Sequence, residues 1–81
     1  MKPVAVRLDE IYVPVRLRPT VDQAKVKALA EDILNKGLLS PIQVRRDKGR
    51  YVLVTGLHRL EALRSLGEET TEALIVSARK F

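Results

Sequence analysis

The residue types best suited to chemistry gather in one stretch, Val54-Thr55-Gly56-Leu57-His58-Arg59. A β-branched run ends here, a Thr-Gly pair makes a turn, and the helix-forming segment LHRLEALRSL starts at once. The first turn of a helix presents unpaired N–H groups and the positive end of the helix dipole. Gly56 allows a ligand to approach the backbone, and His58 and Arg59 stand beside the same spot. That combination suits an anion, most naturally a phosphate. An arginine in a first helical turn opposes the dipole and costs stability unless an anion offsets it. The competing reading makes Thr55 the helix cap and pairs Arg59 with a surface carboxylate. The residues alone leave both open. His58 has neither a serine nor a cysteine partner in its segment, so a nucleophilic triad has no support. Hydrogen bonding to phosphate suits it better, with an i,i+3 contact to Glu61 as the alternative.

Further cations lie outside this stretch. Arg16 and Arg18 alternate, and on an extended segment they share a face. Lys25, Ala28 and Asp32 fall on one face of a helix, with Lys27 nearby. Arg45, Arg46, Lys48 and Arg50 decorate a predicted hairpin, where they either contact phosphates or protect the sheet edge. Arg18, Arg45, Arg46, Lys48 and Arg50 are therefore the candidate nucleic-acid contacts. The sequence has no Gly-x-x-x-x-Gly-Lys loop and no Gly-x-Gly-x-x-Gly turn, and its acids are scattered. With one histidine and no cysteine, a zinc site has no ligand set. No residue is nominated as catalytic.

These side chains need a scaffold. Residues 4–8 and 11–15 read as short extended segments, and Pro14 keeps the second away from a sheet centre. Residues 21–36 read as a helix with Val26, Leu29, Ala30, Ile33 and Leu34 as its apolar stripe, capped by Thr20 or Asp22 and stopped by Gly37. Lys27 and Glu31 are spaced to pair on its wet face. Residues 41–46 and 50–54 read as a hairpin, 57–66 as a second helix with Leu57, Leu60, Leu63 and Leu66 inward, and 70–76 as a last strand. The predicted core is Leu29, Ile33, Ile42, Val44, Val52, Val54, Leu60, Leu63, Leu74 and Val76. The result is an α+β domain with a small mixed sheet and two main helices, one unit over residues 1–81. A basic tail, ARKF, closes the sequence.

At 81 residues, 46% apolar and 31% charged, the chain is long enough for one core and too short for two. Net charge is +5, from 15 basic and 10 acidic residues, which favours a polyanionic partner such as nucleic acid, nucleotide or anionic lipid. No apolar run approaches the roughly 20 residues of a membrane span, and no secretory signal is visible. A cytoplasmic protein without membrane contact is expected.

The order of elements and several words resemble the ParB/sulfiredoxin superfamily. The ParB-type N-terminal pattern, a helix running into Gly-Leu, Pro-Ile and Val-Arg, is matched by Asp32-Ile33, Gly37-Leu38, Pro41-Ile42 and Val44-Arg45. Its Gly-Glu-Arg-Arg-x-x-Ala box is matched by Gly56-Leu57-His58-Arg59-Leu60-Glu61-Ala62, with Leu57-His58 replacing Glu-Arg. Sulfiredoxins carry Gly-Cys-His-Arg at this point, and their Arg-x-x-Pro and Asp-x-x-Lys-Val words are matched by Arg16, Pro19, Asp22, Lys25 and Val26. The resemblance covers about residues 8–76. It implies a ParB/sulfiredoxin-like fold and a nucleotide triphosphate, ATP or CTP, with or without Mg2+. It also implies phosphate contacts from Lys25, His58 and Arg59, the Thr55-Gly56-Leu57 turn against the ligand, and Arg16 lining the pocket. The sulfiredoxin cysteine is Leu57 here, so sulfinic acid reduction is not expected. The ParB helix-turn-helix domain and third nucleotide motif have no counterpart in these residues. The reading that follows is a nucleotide-binding ParB-like module in plasmid or chromosome partition or DNA-linked regulation, with DNA, a protein partner or a second copy as further partners. The alternatives are a nucleotide-dependent nuclease, kinase or phosphatase of the superfamily, and a basic DNA-binding module with a vestigial pocket.

Overall fold

The computed structural model describes residues 2–37 and 40–77. The strands are β1 (Val4–Arg7), β2 (Ile11–Tyr12), β3 (Ile42–Asp47), β4 (Arg50–Thr55) and β5 (Thr70–Ile75), and the helices are α1 (Gln23–Lys36) and α2 (Leu57–Ser65). Together the strands form one mixed sheet in the order β1-β5-β3-β4-β2. The β1–β5 and β3–β4 pairs are antiparallel, whereas β3–β5 and β2–β4 are parallel. This is the expected α+β architecture. The ARKF tail and Leu38 lie outside the described residues.

Local chemistry accounts for the element ends. Asp22 caps α1, its Oδ1 accepting from the N–H of Ala24 at 3.0 Å and of Lys25 at 3.4 Å. Asp22→Ala should therefore cost about 0.5–2 kcal/mol, measured by denaturant titration. Gly37 ends the helix, donating its N–H to the Ile33 carbonyl at 2.7 Å. The β3–β4 hairpin turns at Lys48-Gly49, and β2 stops at Tyr12 before Val13 and Pro14.

Two apolar layers hold the domain. Val6, Ile11, Ile42, Val44, Leu53 and Ala73 on the sheet, with Leu8 from the 3-10 turn between β1 and β2, meet Leu60 and Leu63 of α2. Val26 and Ala30 of α1 meet Ala62 on another side of α2. Thus α2 lies between the sheet and α1, and its small Ala62 lets α1 approach closely.

Several expectations need correction. Val15–Thr20 is a 3-10 helix rather than a strand, so Arg16 and Arg18 do not share an extended face. Leu34 is 71% exposed and Val54 39%, and Leu29, Ile33, Leu74 and Val76 are only half-buried. For Leu74 the cause is register: Ala73 faces the helices in line with Val4 and Ile42, which turns Leu74 the other way. Near Val54, Gln43 pairs with Thr55 but Val44 with Leu53, so β4 carries an extra residue that breaks the alternation. Lys36 rather than Lys27 makes the ion pair on α1, reaching Asp32 at 3.2 Å.

Candidate anion site at the start of the second helix

The turn between β4 and α2 is built on Gly56. Thr55 is the last residue of β4, and Gly56 occupies the cap position with φ +106° and ψ 27°. No side chain caps α2, so the competing reading in which Thr55 does so is not met. The first bond of the helix runs from the Leu60 N–H to the Gly56 carbonyl at 2.9 Å. The amides of Leu57, His58 and Arg59 therefore point out of the helix start with no intrahelical acceptor.

The side chains there are disposed differently from one another. Leu57 packs against the sheet core. His58 reaches across to α1, where its Nε2 accepts the N–H of Asp22 at 3.1 Å. An accepting Nε2 is unprotonated, so the ring in this bond is the neutral tautomer with Nδ1–H as its remaining donor. One imidazole thus ties together the starts of both helices. Glu61 pairs with Arg64 at 3.4 Å rather than with His58. Among the described residues Arg59 makes no ion pair, so the surface-carboxylate reading has no acid at this point. The sequence pattern offers Asp22 only as a cap; its contact with His58 spans 36 residues and no local pattern signals it.

Lys25 joins this group. With Ala28, Leu29, Asp32 and His58 it lines a shallow depression between the helices, along the predicted α1 face. Arg16 does not line that depression; it borders another one with Tyr12, Arg45 and Arg50. The hairpin and loop cations also separate. Arg18 donates its Nε–H to the Val13 carbonyl at 3.1 Å, and its guanidinium lies 5.4 Å from the Tyr12 ring centre. Arg50 stacks on Tyr12 at 4.1 Å, whereas Arg46 lies over Tyr51 at 5.5 Å. Arg45 is 3.9 Å from Asp47, and Lys48 sits at the hairpin tip. The five candidate nucleic-acid contacts thus occupy several directions rather than one stripe.

At the opposite end of the chemistry, Arg7 and Asp9 form an exposed bidentate pair, at 3.1 Å and 2.8 Å. The hydrogen bond from Arg7 holds the Asp9 carboxyl below its usual range. Its contribution to stability is therefore present above the ordinary carboxylate range and lost as pH falls through the lowered value.

A small five-stranded mixed sheet with two helices, the second started by a glycine, is the class of domain, and likeness to known proteins identifies the family. Residues 2–80 match the ParB N-terminal domain, and the chain belongs to that family. It is 37% identical over 65 residues to a nucleoid occlusion protein of Halalkalibacterium halodurans, covering 78% of this chain and 23% of the relative. It is 36% identical over 77 residues to the chloroplastic/mitochondrial sulfiredoxin of Arabidopsis thaliana, covering 95% of this chain and 62% of that protein. The crystal structure of Arabidopsis thaliana sulfiredoxin superposes with a TM-score of 0.85 at 35% identity, over 96% of this chain and 88% of the other. C-terminally truncated ParB from Caulobacter crescentus, complexed with CTP-γ-S, superposes with a TM-score of 0.81 at 24% identity, over 98% and 46% of the two chains. The chain spans only 23–26% of the length of the first nucleoid occlusion and ParB relatives. The ParB/sulfiredoxin assignment made from the sequence words is correct.

Proposed function

We propose that this domain binds a nucleotide through the β4–α2 turn, as a ParB-like module of partition or other DNA-linked regulation. The observation that carries the reading is the uncapped start of α2, with Arg59 beside it and free of ion pairs among the described residues. The Leu57, His58 and Arg59 amides, the Arg59 guanidinium and the His58 Nδ1–H supply donors for phosphate oxygens, and Lys25 adds a cation from α1. Two solved structures support it. The Caulobacter ParB structure holds CTP-γ-S, and a free serine kinase of the same fold holds ADP. Among the described residues no three His, Asp or Glu side chains converge. A Mg2+ ion accompanying a triphosphate would accordingly rest mainly on phosphate oxygens and water. The position where sulfiredoxins place cysteine is given over to packing by Leu57, so thiol chemistry has no residue here. No helix among the described residues is long and apolar enough to cross a membrane.

Titration calorimetry with CTP and ATP tests the site. Arg59→Ala should weaken binding by about 1.5–3 kcal/mol, the range for a charged hydrogen bond. An unchanged affinity removes Arg59 from the site, and no binding of either nucleotide by the wild type removes the reading.

A further inference from the structure

Both helices lie on one side of the sheet, so among the described residues the other face carries no α-helix. On that face Tyr12, Arg16, Arg45, Arg50, Val52 and Val54 line an open depression of about 450 Å³. The register builds it: Tyr12 and Arg45 flank Val52 from the two neighbouring strands, and Arg50 lies two residues back along β4 on the same side. Val52 belongs to neither of the two apolar clusters under the helices and is buried by its own neighbours on this face, whereas Val54 is 39% exposed and the half-buried Val76 lies beside it. The floor is therefore apolar and the rim carries three guanidiniums. Asp47, 3.9 Å from Arg45, supplies the rim's one ion pair among the described residues.

We propose that this face docks a short acidic segment of a partner protein bearing an apolar anchor. An aliphatic side chain packs on the exposed Val54, and carboxylates on either side of it accept paired N–H bonds from the arginines. Charge argues against a second copy of this chain, because the net +5 and the three arginines would face their own kind. The following residues of the chain, Arg79 and Lys80, carry the same sign. Single-stranded nucleic acid needs an open aromatic face, but Tyr12 is stacked by Arg50 at 4.1 Å and approached by Arg18 at 5.4 Å. A phosphodiester backbone would leave the valines unfilled. This surface is independent of the nucleotide site, since neither His58 nor Arg59 lines it.

The test is an NMR titration of the isotope-labelled domain with a synthetic peptide of two leucines flanked on both sides by glutamates. Amide shifts are expected at Tyr12, Arg45, Val52 and Val54, with a micromolar dissociation constant. The Arg45→Glu, Arg50→Glu double variant should weaken the peptide at least 10-fold while keeping its dispersed spectrum and the wild-type response to nucleotide. Three controls use the same readout: an all-glutamate peptide, a lysine-flanked peptide and a random DNA duplex. Weaker binding of all three at this face supports the proposal. It is overturned by absence of shifts at millimolar peptide, by shifts confined to Leu57–Arg59, or by any control binding this face as tightly as the leucine–glutamate peptide.

Discussion

Gly56→Ala should destabilise the domain by about 2–6 kcal/mol, through two separate effects of one added atom. The first is backbone strain. At φ +106° an L-residue is outside its comfortable regions, at a cost of about 1–3 kcal/mol. The second is collision. A Cβ at this position would lie 2.7 Å from Cγ2, 3.0 Å from Cβ and 3.3 Å from Cα of Ile42. Ile42 is fully buried in β3, so its Cγ2 has nowhere to retreat, and overpacking of this sort costs about 1–3 kcal/mol. For a domain whose whole stability is of order 5–15 kcal/mol, the loss is large. Gly67→Ala separates the two effects. Gly67 also has positive φ, +76°, but a Cβ there meets nothing within 4 Å. The excess of Gly56→Ala over Gly67→Ala in denaturant midpoint, at unchanged m-value, reads the Ile42 contact together with the extra strain of +106° over +76°. Adding Ile42→Ala removes Cγ2, so the double variant should lose less than the sum of the singles. Equal losses at the two glycines would mean that the close approach to Ile42 carries no energy.

The same geometry explains why this turn suits a ligand. Close packing of Gly56 on β3 fixes where α2 begins, and a glycine at the cap position has no side chain with which to cap the helix start. Structural need and an open set of donors therefore coincide at one residue. A glycine there reads from sequence as a site that tolerates ligand approach, yet half of its reason is an inward contact with Ile42.

Much of the architecture is legible in the sequence because its determinants are local. The Asp22 cap, the Gly37 stop and the Lys48-Gly49 hairpin each act over a few residues, as does Pro14 in keeping β2 at the sheet edge, although that strand ends at Tyr12 rather than running to residue 15. The Lys25-Ala28-Asp32 face likewise follows from helical spacing and recurs as the wall facing His58. What escapes the sequence depends on tertiary partners. Ala62 looks unremarkable in a periodic pattern, but it is where α2 meets Val26 and Ala30 of α1. The bulge that exposes Val54 depends on how β3 pairs with β4, and one residue of slip reverses the face of a side chain. Arg16 and Arg18 look extended because valine and proline surround them; the segment instead closes into a 3-10 turn, with the Leu17 N–H on the Pro14 carbonyl at 2.9 Å. The His58–Asp22 bond joins residues far apart in sequence, and only the packing of α1 on α2 creates it.

Leu60→Ala should be the most damaging of the simple truncations in α2, at about 2–5 kcal/mol. Leu60 is fully buried, it belongs to the cluster that joins α2 to the sheet, and it lies one turn above the Leu57–Arg59 amides. Removing it leaves a void lined by β-sheet side chains that the backbone pairing holds in place, so little collapse can relieve it. For a domain of this size each kcal/mol lowers the melting temperature by about 4–8 °C. Leu34→Ala provides the contrast. The same periodic reasoning puts Leu34 in the apolar stripe of α1, yet it is 71% exposed, and its truncation should fall within about 0.5 kcal/mol of wild type. Thermal denaturation of the two variants side by side therefore tests the position of α2 between the sheet and α1. A large loss at Leu34 together with a small one at Leu60 would reverse the inward and outward faces of the two helices. It would also remove the support beneath the helix start on which the proposed phosphate contacts depend.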